Sequence, residues 1–229
     1  MTLRGAWSVG TLLYGAPQSI KAETGGFGMG GASNGPQAAT PGAAAVQVKL
    51  SLRGASKPPV WRRLLIPAAM RLDQFHVVIQ AAMGWTDSHM HAFSTDSGDY
   101  GIPDPELEFR DERKPRLEQF LGAPGDRIRY TYDFGDDWDH DIVVEEVLHP
   151  EPGARIPVCL AGKGTCPPED CGGVWGYADL REALANSAHD DHDAMLEWLG
   201  LESVADFDPA AFDIAEANDA LDVIALPRR

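Results

Sequence analysis

The stretch RIRYTYDFGDDWDHDIVVEEV, residues 127–147, decides the fold of this chain. Apolar and polar side chains alternate in both halves of it, which is typical of two strands that each bury one face. Gly135, between the halves, can adopt a positive φ in a tight turn. The sequence therefore predicts a β-hairpin. Its buried face is expected to carry Ile128, Tyr130, Tyr132, Phe134, Trp138, His140, Ile142 and Val144.

The histidine of this hairpin, His140, falls in register with the aromatic side chains, and Asp133 or Asp136 would lie beside it across the turn. Two interpretations follow. His140 is either a buried histidine whose polar atoms are satisfied by a carboxylate, or a metal ligand or general base. The first is the commoner situation in protein cores, so we expect His140 to pack beside an aspartate.

The residues before the hairpin predict further strands and one helix. Alternating apolar residues indicate strands at 46–52 and 60–67, and another strand pattern follows at 89–94. A helix is expected between them, closed by Gly84. The apolar face of this helix consists of Leu72, Phe75, His76, Ile79 and Met83.

The last third of the chain is expected to be helical. Short amphipathic segments follow residue 173, and the final helix is predicted to begin at Asp208–Pro209, a favourable cap and first position. The predicted fold class is therefore α+β: a mainly antiparallel sheet with one embedded helix and a helical C-terminal segment.

The first 45 residues differ in composition from the rest. They are rich in Gly, Ala and Pro and lack apolar periodicity, so they offer little surface that folding could bury. We expect a disordered tail at 1–45 and a single α+β domain at 46–229. Removal of residues 1–44 should leave that domain folded.

Composition also limits the compartment and the partners. The formal net charge of -16 disfavours non-specific binding of nucleic acid, which depends on basic side chains that displace counterions. Trp-Arg-Arg at 61–63 is the only dense basic group. Neither a membrane-spanning run nor a secretory signal is apparent, and three cysteines are few for a disulfide scaffold. We therefore expect a cytoplasmic protein whose partner is another protein or a small molecule.

Three cysteines form a first candidate metal site. Cys159, Cys166 and Cys171 follow a C-x6-C-x4-C spacing, and His140 or His149 could supply a fourth zinc ligand. Most structural zinc sites have a tighter C-x2-C spacing, so three reduced and mostly buried thiols are the alternative that we favour.

A second candidate site combines histidines with aspartates. His89 and His91 form an H-x-H pair, whose side chains would share one face of a strand. Acids of the hairpin turn could complete a metal site that activates a water molecule for hydrolysis. The candidate residues of this hydrolase site are His89, His91, Asp133, Asp136 and His140.

The segment PPEDCGG, residues 167–173, allows two interpretations. Glu169 and Asp170 could be carboxylates that face a cleft, or they could accept backbone N–H groups in a rigid Pro/Gly turn. Two adjacent acids do not form an acid/base pair without a third partner, so the structural role is favoured.

Several motifs occur in order along the chain: PPVWRRLLIP, LDQFHVVIQAAMGW, HMHAF, YTYDFGDDWDHDIVVE, CPPEDCGGVWGY and FDPAAFD. In these motifs the chain resembles the plasmid pRiA4b open-reading-frame-three-like family, over residues 46 to 224. The resemblance implies an α+β fold and a bacterial protein of chromosomes, plasmids and other mobile elements, and it implies no reaction. We therefore expect a binding or accessory module, with a metal-dependent hydrolase as the alternative.

Overall fold

The computed structural model describes residues 44–104 and 106–224. The predicted tail lies outside these ranges except for its last two residues, and Ala45 already belongs to the first strand. The strands are Ala45–Ser56 (β1), Pro59–Pro67 (β2), His91–Thr95 (β3), Gly98–Gly101 (β4), Arg110–Asp111 (β5), Arg127–Tyr132 (β6), Trp138–Leu148 (β7) and Val158–Lys163 (β8). The helices are Leu72–Met83 (α1), Gly173–Ala185 (α2), His192–Leu199 (α3) and Ile214–Val223 (α4).

The strands form one sheet in the order β5-β4-β3-β6-β7-β1-β2-β8. Neighbouring strands are antiparallel except for the short pair β4 and β5. With α1 embedded between β2 and β3 and the other helices after β8, the architecture confirms the predicted α+β class. α4 begins at Ile214 rather than near Asp208, because Asp213 caps it by accepting hydrogen bonds from the N–H groups of Ala215 and Glu216.

The predicted hairpin is confirmed as β6 and β7, with Tyr130 opposite His140 and Tyr132 opposite Trp138. Its turn differs from the prediction, because Asp133 and Asp137 adopt the positive φ expected of Gly135. Asp133 Oδ1 accepts a hydrogen bond from Gly135 N, and such local carboxylate bonds stabilise a left-handed aspartate.

The prediction that Phe134 lies on the buried face of the hairpin is also wrong. Phe134 lies beyond the end of β6 and is exposed rather than buried, because the turn has already begun at Asp133.

The predicted face of α1 packs into the core as expected, and Gly84 ends the helix with a left-handed φ of 99°. Leu72, Phe75 and Ile79 are fully buried, together with Trp138 and Ile142 of the hairpin. His76 also lies on this face and is buried. The embedded helix therefore covers one face of the hairpin.

Arg62 belongs to the supposed basic group at 61–63 but is a core residue, 3% exposed. Its Nε donates to the carbonyl oxygen of Ala82 at 2.9 Å, and its Nη1 donates to those of Lys163 and Gly164 at 3.1 Å. The guanidinium also lies 4.2 Å from the ring centroid of Phe212. Burial lowers the pKa of Arg62, but an arginine stays charged in proteins. Arg62 therefore joins β2 to the ends of α1 and β8.

We predict that Arg62→Met lowers the free energy of unfolding by at least about 3 kcal/mol, because it leaves several carbonyl groups without a donor. Arg63→Met is the matched control. Arg63 lies next in sequence and pairs with Glu145 in a half-exposed ion pair, so its loss should cost about 1 kcal/mol or less. Urea unfolding of both variants measures the difference, and equal losses would contradict a structural role of the buried guanidinium.

The domain boundary yields a second prediction. We expect removal of residues 1–43 to leave the melting temperature within about 2 °C of the full chain, because their composition favours no core contacts. Removal of residues 1–48 should unfold the domain, since Val46 and Val48 are fully buried in β1. A large loss of stability on removal of residues 1–43 would show that the tail belongs to the fold.

Candidate functional site

Three loops meet at one end of the sheet: residues 85–90 after α1, the hairpin turn at 133–137, and residues 167–172 before α2. Trp85 Nε1 donates to the carbonyl oxygen of Pro167 at 3.0 Å. Gly172 N donates to Asp136 Oδ2 at 3.1 Å. These contacts hold the three loops together, although they are far apart in sequence.

Left-handed aspartates are concentrated in these loops. Five non-glycine residues of the described ranges have a positive φ, and four of them are Asp87, Asp133, Asp137 and Asp170, with φ between 52° and 57°. Non-glycine residues in this conformation are uncommon and gather at functional sites. The left-handed aspartates therefore mark these loops as a candidate ligand site.

His89 lies at the centre of the loops and faces three carboxylates. Its Nε2 is 3.1 Å from Asp170 Oδ1, 3.6 Å from Asp133 Oδ2 and 3.9 Å from Glu169 Oε2. This nitrogen is shielded from solvent but makes no hydrogen bond of acceptable geometry. We call His89, Asp133, Glu169 and Asp170 the His89 pocket.

Two of the three carboxylates are oriented by other groups. Glu169 Oε1 accepts hydrogen bonds from Thr86 N at 2.9 Å and from the Tyr132 hydroxyl at 3.0 Å. Asp133 Oδ1 accepts from Gly135 N, which leaves Oδ2 turned toward His89. Burial, and to a smaller extent Glu169, raises the pKa of Tyr132, so its hydroxyl stays protonated and donates. Neighbouring groups thus fix two of the three carboxylates of the pocket, while the side chain of Asp170 is exposed.

A second histidine cluster lies nearby. The rings of His76 and His91 stack with centroids 3.4 Å apart and planes 4° apart. His91 Nε2 is 2.8 Å from Glu112 Oε2, and this pair is almost completely buried. Imidazole lone pairs lie in the ring plane, so two parallel stacked rings cannot both point at one ion between them. This cluster is a poor metal site despite the proximity of its ligand atoms to Asp87.

Hydrogen bonds around His76 close into a ring. Asp87 N donates to Gln80 Oε1 at 3.0 Å, so Gln80 Nε2 donates to the Tyr130 hydroxyl, also at 3.0 Å. The hydroxyl then donates to His76 Nδ1, and His76 Nε2–H donates to Asp87 Oδ1, each at 2.8 Å. Every polar group in the ring has its partner, which indicates a structural role.

The structure divides the five residues of the predicted hydrolase site. His89 and Asp133 lie together, but His91 is paired with Glu112, and Asp136 accepts from Gly172 N at the start of α2. His89 precedes β3 rather than lying in it, so the expected strand face shared by the H-x-H pair is not formed. The local sequence predicted a structural role in a turn for Glu169 and Asp170. No sequence signal indicated that they would lie beside His89, some 80 positions earlier.

His140 is fully buried, and the prediction of a carboxylate partner is wrong. Its neighbours are Trp85, edge-on at 5.4 Å between ring centroids, and Tyr130 at 5.6 Å. Neither ring nitrogen makes a hydrogen bond of acceptable geometry. The acids of the turn fold toward the surface loops, because Asp133 reverses the chain before its side chain can reach His140.

The three cysteines do not converge as the candidate zinc site would require. Cys159 is buried in β8, while Cys166 and Cys171 are half-buried, the first just before the loop that precedes α2 and the second within it. Within the described residues, the groups of three or more potential ligands that lie within 4.8 Å of one another contain no cysteine. Burial raises the pKa of all three thiols, that of Cys171 to about 12, which opposes the thiolate form that zinc requires.

Comparison with known families agrees with the motifs. The model of the family "Plasmid pRiA4b ORF-3-like protein" matches residues 44–216. The chain belongs to this family. The match begins beside the first residue of β1, ends within α4 and includes all the loops of the His89 pocket, so the whole sheet and the pocket lie within the pRiA4b ORF-3-like domain.

Two relatives extend this comparison. The uncharacterized protein y4hQ of Sinorhizobium fredii (strain NBRC 101917 / NGR234) is 40% identical over 186 residues, which is 80% of this chain and 93% of that protein. The crystal structure of MM3350 from Methanosarcina mazei Go1, a protein of unknown function, has 35% identity and a TM-score of 0.67. It covers 76% of this chain and 97% of its own. Membership therefore identifies the domain without identifying a reaction.

No helix in the described ranges combines the length and the apolar character needed to cross a membrane.

Buried histidines make the stability depend on pH. Burial, with a smaller effect of neighbouring His91, lowers the pKa of His76 to about 4, and burial lowers that of His140 to about 4. Both titrate near 6.5 when unfolded, so the unfolded chain binds their protons more tightly. Each histidine contributes stability that is complete above about pH 6.5 and is lost as the pH falls toward 4. The loss is on the order of 3 kcal/mol for each.

We predict that His140→Leu reduces the loss of unfolding free energy between pH 7.5 and 4.5, because one of the two buried imidazoles is gone. Urea unfolding at several pH values measures this loss. His149→Leu, at an exposed position, controls for the removal of a histidine. An unchanged pH dependence in His140→Leu would contradict a buried neutral imidazole at this position.

Proposed function

We propose that the chain is a binding module that holds one divalent metal ion in the His89 pocket. The observation that carries the proposal is the convergence of His89 Nε2 with one oxygen each of Asp170 and Asp133, 3.1 and 3.6 Å from the nitrogen, all within 4.8 Å of one another. Glu169 Oε2 lies beside them, 3.9 Å from the nitrogen. Two ligands of one zinc ion, each bound at about 2.0 Å, lie about 3.3 Å apart in a tetrahedral site. The distances from His89 Nε2 to Asp170 and Asp133 are close to this spacing, and the distance to Glu169 is longer.

The negative charge of the pocket is balanced better by a bound divalent cation than by an ion pair with a protonated His89. A protonated His89 would supply a single Nε2–H and one positive charge to Asp133, Glu169 and Asp170. Its nearest carboxylate oxygen, 3.1 Å away, does not meet hydrogen-bond geometry. A divalent ion, by contrast, would bind the nitrogen lone pair and the oxygens of Asp133 and Asp170 at once and offset two negative charges.

The donor set selects the class of metal. An imidazole nitrogen with carboxylates suits first-row ions such as Zn²⁺ and Mn²⁺, whereas Ca²⁺ prefers oxygen ligands throughout. The bonds that hold Glu169 and Asp133 resemble the outer-shell bonds that orient metal ligands. We therefore expect zinc to bind more tightly than calcium.

Binding is favoured over hydrolysis because the five side chains of the hydrolase hypothesis do not share one cleft. We also propose that the module acts in the cytoplasm on a protein or small-molecule partner. Three free thiols suit a reducing compartment. Arg62, from the densest basic group in the sequence, is buried, which adds to the charge argument against non-specific nucleic-acid binding.

The test is calorimetric titration of the full chain, without an affinity tag and after removal of metal by a chelator. We expect about one Zn²⁺ per chain. His89→Ala and Asp133→Asn should each weaken binding by more than about 100-fold, and Tyr132→Phe, which loses an outer-shell bond, by about 10- to 100-fold. Ca²⁺ should bind more weakly than Zn²⁺ in the same cell.

Asp137→Asn is the matched control, because Asp137 lies in the same turn with a similar positive φ but outside the pocket. It should bind zinc as the unmodified chain does. A folded chain that shows no saturable binding of Zn²⁺ or Mn²⁺ would disprove the proposal, as would equal affinity in the His89→Ala variant. A loss of melting temperature in His89→Ala without any metal effect would identify the pocket as a structural ion pair.

A further inference from the structure

A groove between α2 and α3 lies next to the His89 pocket and shares only Asp170 with it. Its volume is about 300 Å³, at the lower end of the range for small-molecule sites. Its apolar lining consists of Leu180, Ala183, Met195 and Trp198. Leu180 and Ala183 are buried, and Trp198 is 48% exposed, so the apolar surface is open to a ligand from solvent.

The polar lining of the groove is acidic. Asp170, Asp179 and Asp191 lie around it together with His189, and its described lining contains no lysine or arginine. The surrounding sequence makes the electrostatic potential of the groove more negative, because residues 173–200 carry six acidic side chains and one arginine. The acids are Asp179, Glu182, Asp190, Asp191, Asp193 and Glu197. Such a groove favours a positively charged ligand.

The spacing of the acidic side chains favours an organic cation over a metal ion as the ligand of this groove. Among the described residues, no three ligand atoms of this lining lie within 4.8 Å of one another, in contrast to the His89 pocket. Carboxylates spread around an apolar floor instead suit a ligand with both a charged group and an apolar body. The indole of Trp198 adds a surface that attracts ammonium groups.

We propose that this groove binds a small primary amine with an apolar chain. The ammonium group pairs with the acidic rim formed by Asp170, Asp179 and Asp191, and the chain lies on Leu180, Met195 and Trp198. The proposal does not rest on the metal site, although Asp170 borders both. The two are separated by working in the presence of a chelator.

The probe is n-hexylamine, titrated into the full chain with a chelator present and followed by calorimetry. Hexanoate has a similar chain and the opposite charge. We expect saturable binding of the amine and at least about tenfold weaker binding of hexanoate. Amine binding should also weaken as salt is raised, because the rim charges are exposed.

Variants locate the site. The double variant Asp179→Asn/Asp191→Asn should weaken amine binding by about tenfold, and Trp198→Leu should weaken it severalfold. Asp193→Asn removes a charge from the same helix, α3, at an exposed position outside the groove lining, and should change affinity by less than about twofold. These effects should persist whether or not zinc binds in the His89 pocket.

Two results would overturn the proposal: hexanoate that binds as tightly as hexylamine, or a double variant that binds the amine as the unmodified chain does. Neither result would affect the metal proposal, whose test uses other residues and no amine. Loss of zinc binding with retained amine binding would instead leave the groove as the ligand site of the module.

Discussion

The buried guanidinium of Arg62 is the interaction on which the rest of the structure depends. It bonds the last turn of α1 at Ala82 and the end of β8 at Lys163 and Gly164, all from one side chain of β2. The loop that carries His89 leaves the end of α1, and the loop that carries Glu169 and Asp170 leaves the end of β8. A buried cation bonded to main-chain oxygens fixes both starting points, because its bonds to the carbonyls of Ala82 and Gly164 are buried, where a carbonyl without a donor is costly.

The same end of the sheet holds two histidine clusters with opposite character. Around His76, donors and acceptors alternate through Gln80, Tyr130 and Asp87 until the ring closes, so folding alone satisfies them. Around His89, the carboxylates are oriented by other groups, yet the nitrogen they face has no hydrogen bond. A satisfied network stabilises a core, whereas an oriented and unsatisfied one is what a ligand completes.

Local patterns predicted most of the fold and little of the site. Alternation located the hairpin, and the spacing of apolar residues located α1 and its end at Gly84, because both signals arise within a few residues. The prediction for the turn was wrong in one respect. Gly135 was expected to adopt the positive φ, but Asp133 adopts it, and its carboxylate stabilises the turn by accepting a hydrogen bond from Gly135 N. His140 was expected to find an aspartate, but the chain reverses too early for one to reach it.

The sequence by itself determined the α+β class, the family, the burial of the hairpin face and the presence of His89 and Asp133 among the candidate ligands. Only the tertiary structure decided which histidine meets which acid. Periodicity is a property of neighbouring residues, whereas the meeting of His89 with Glu169 and Asp170 requires β3, β6 and β8 to take their places in the sheet. The two side chains are chemically identical, but folding buries His140 among aromatic rings and places His89 beside three carboxylates.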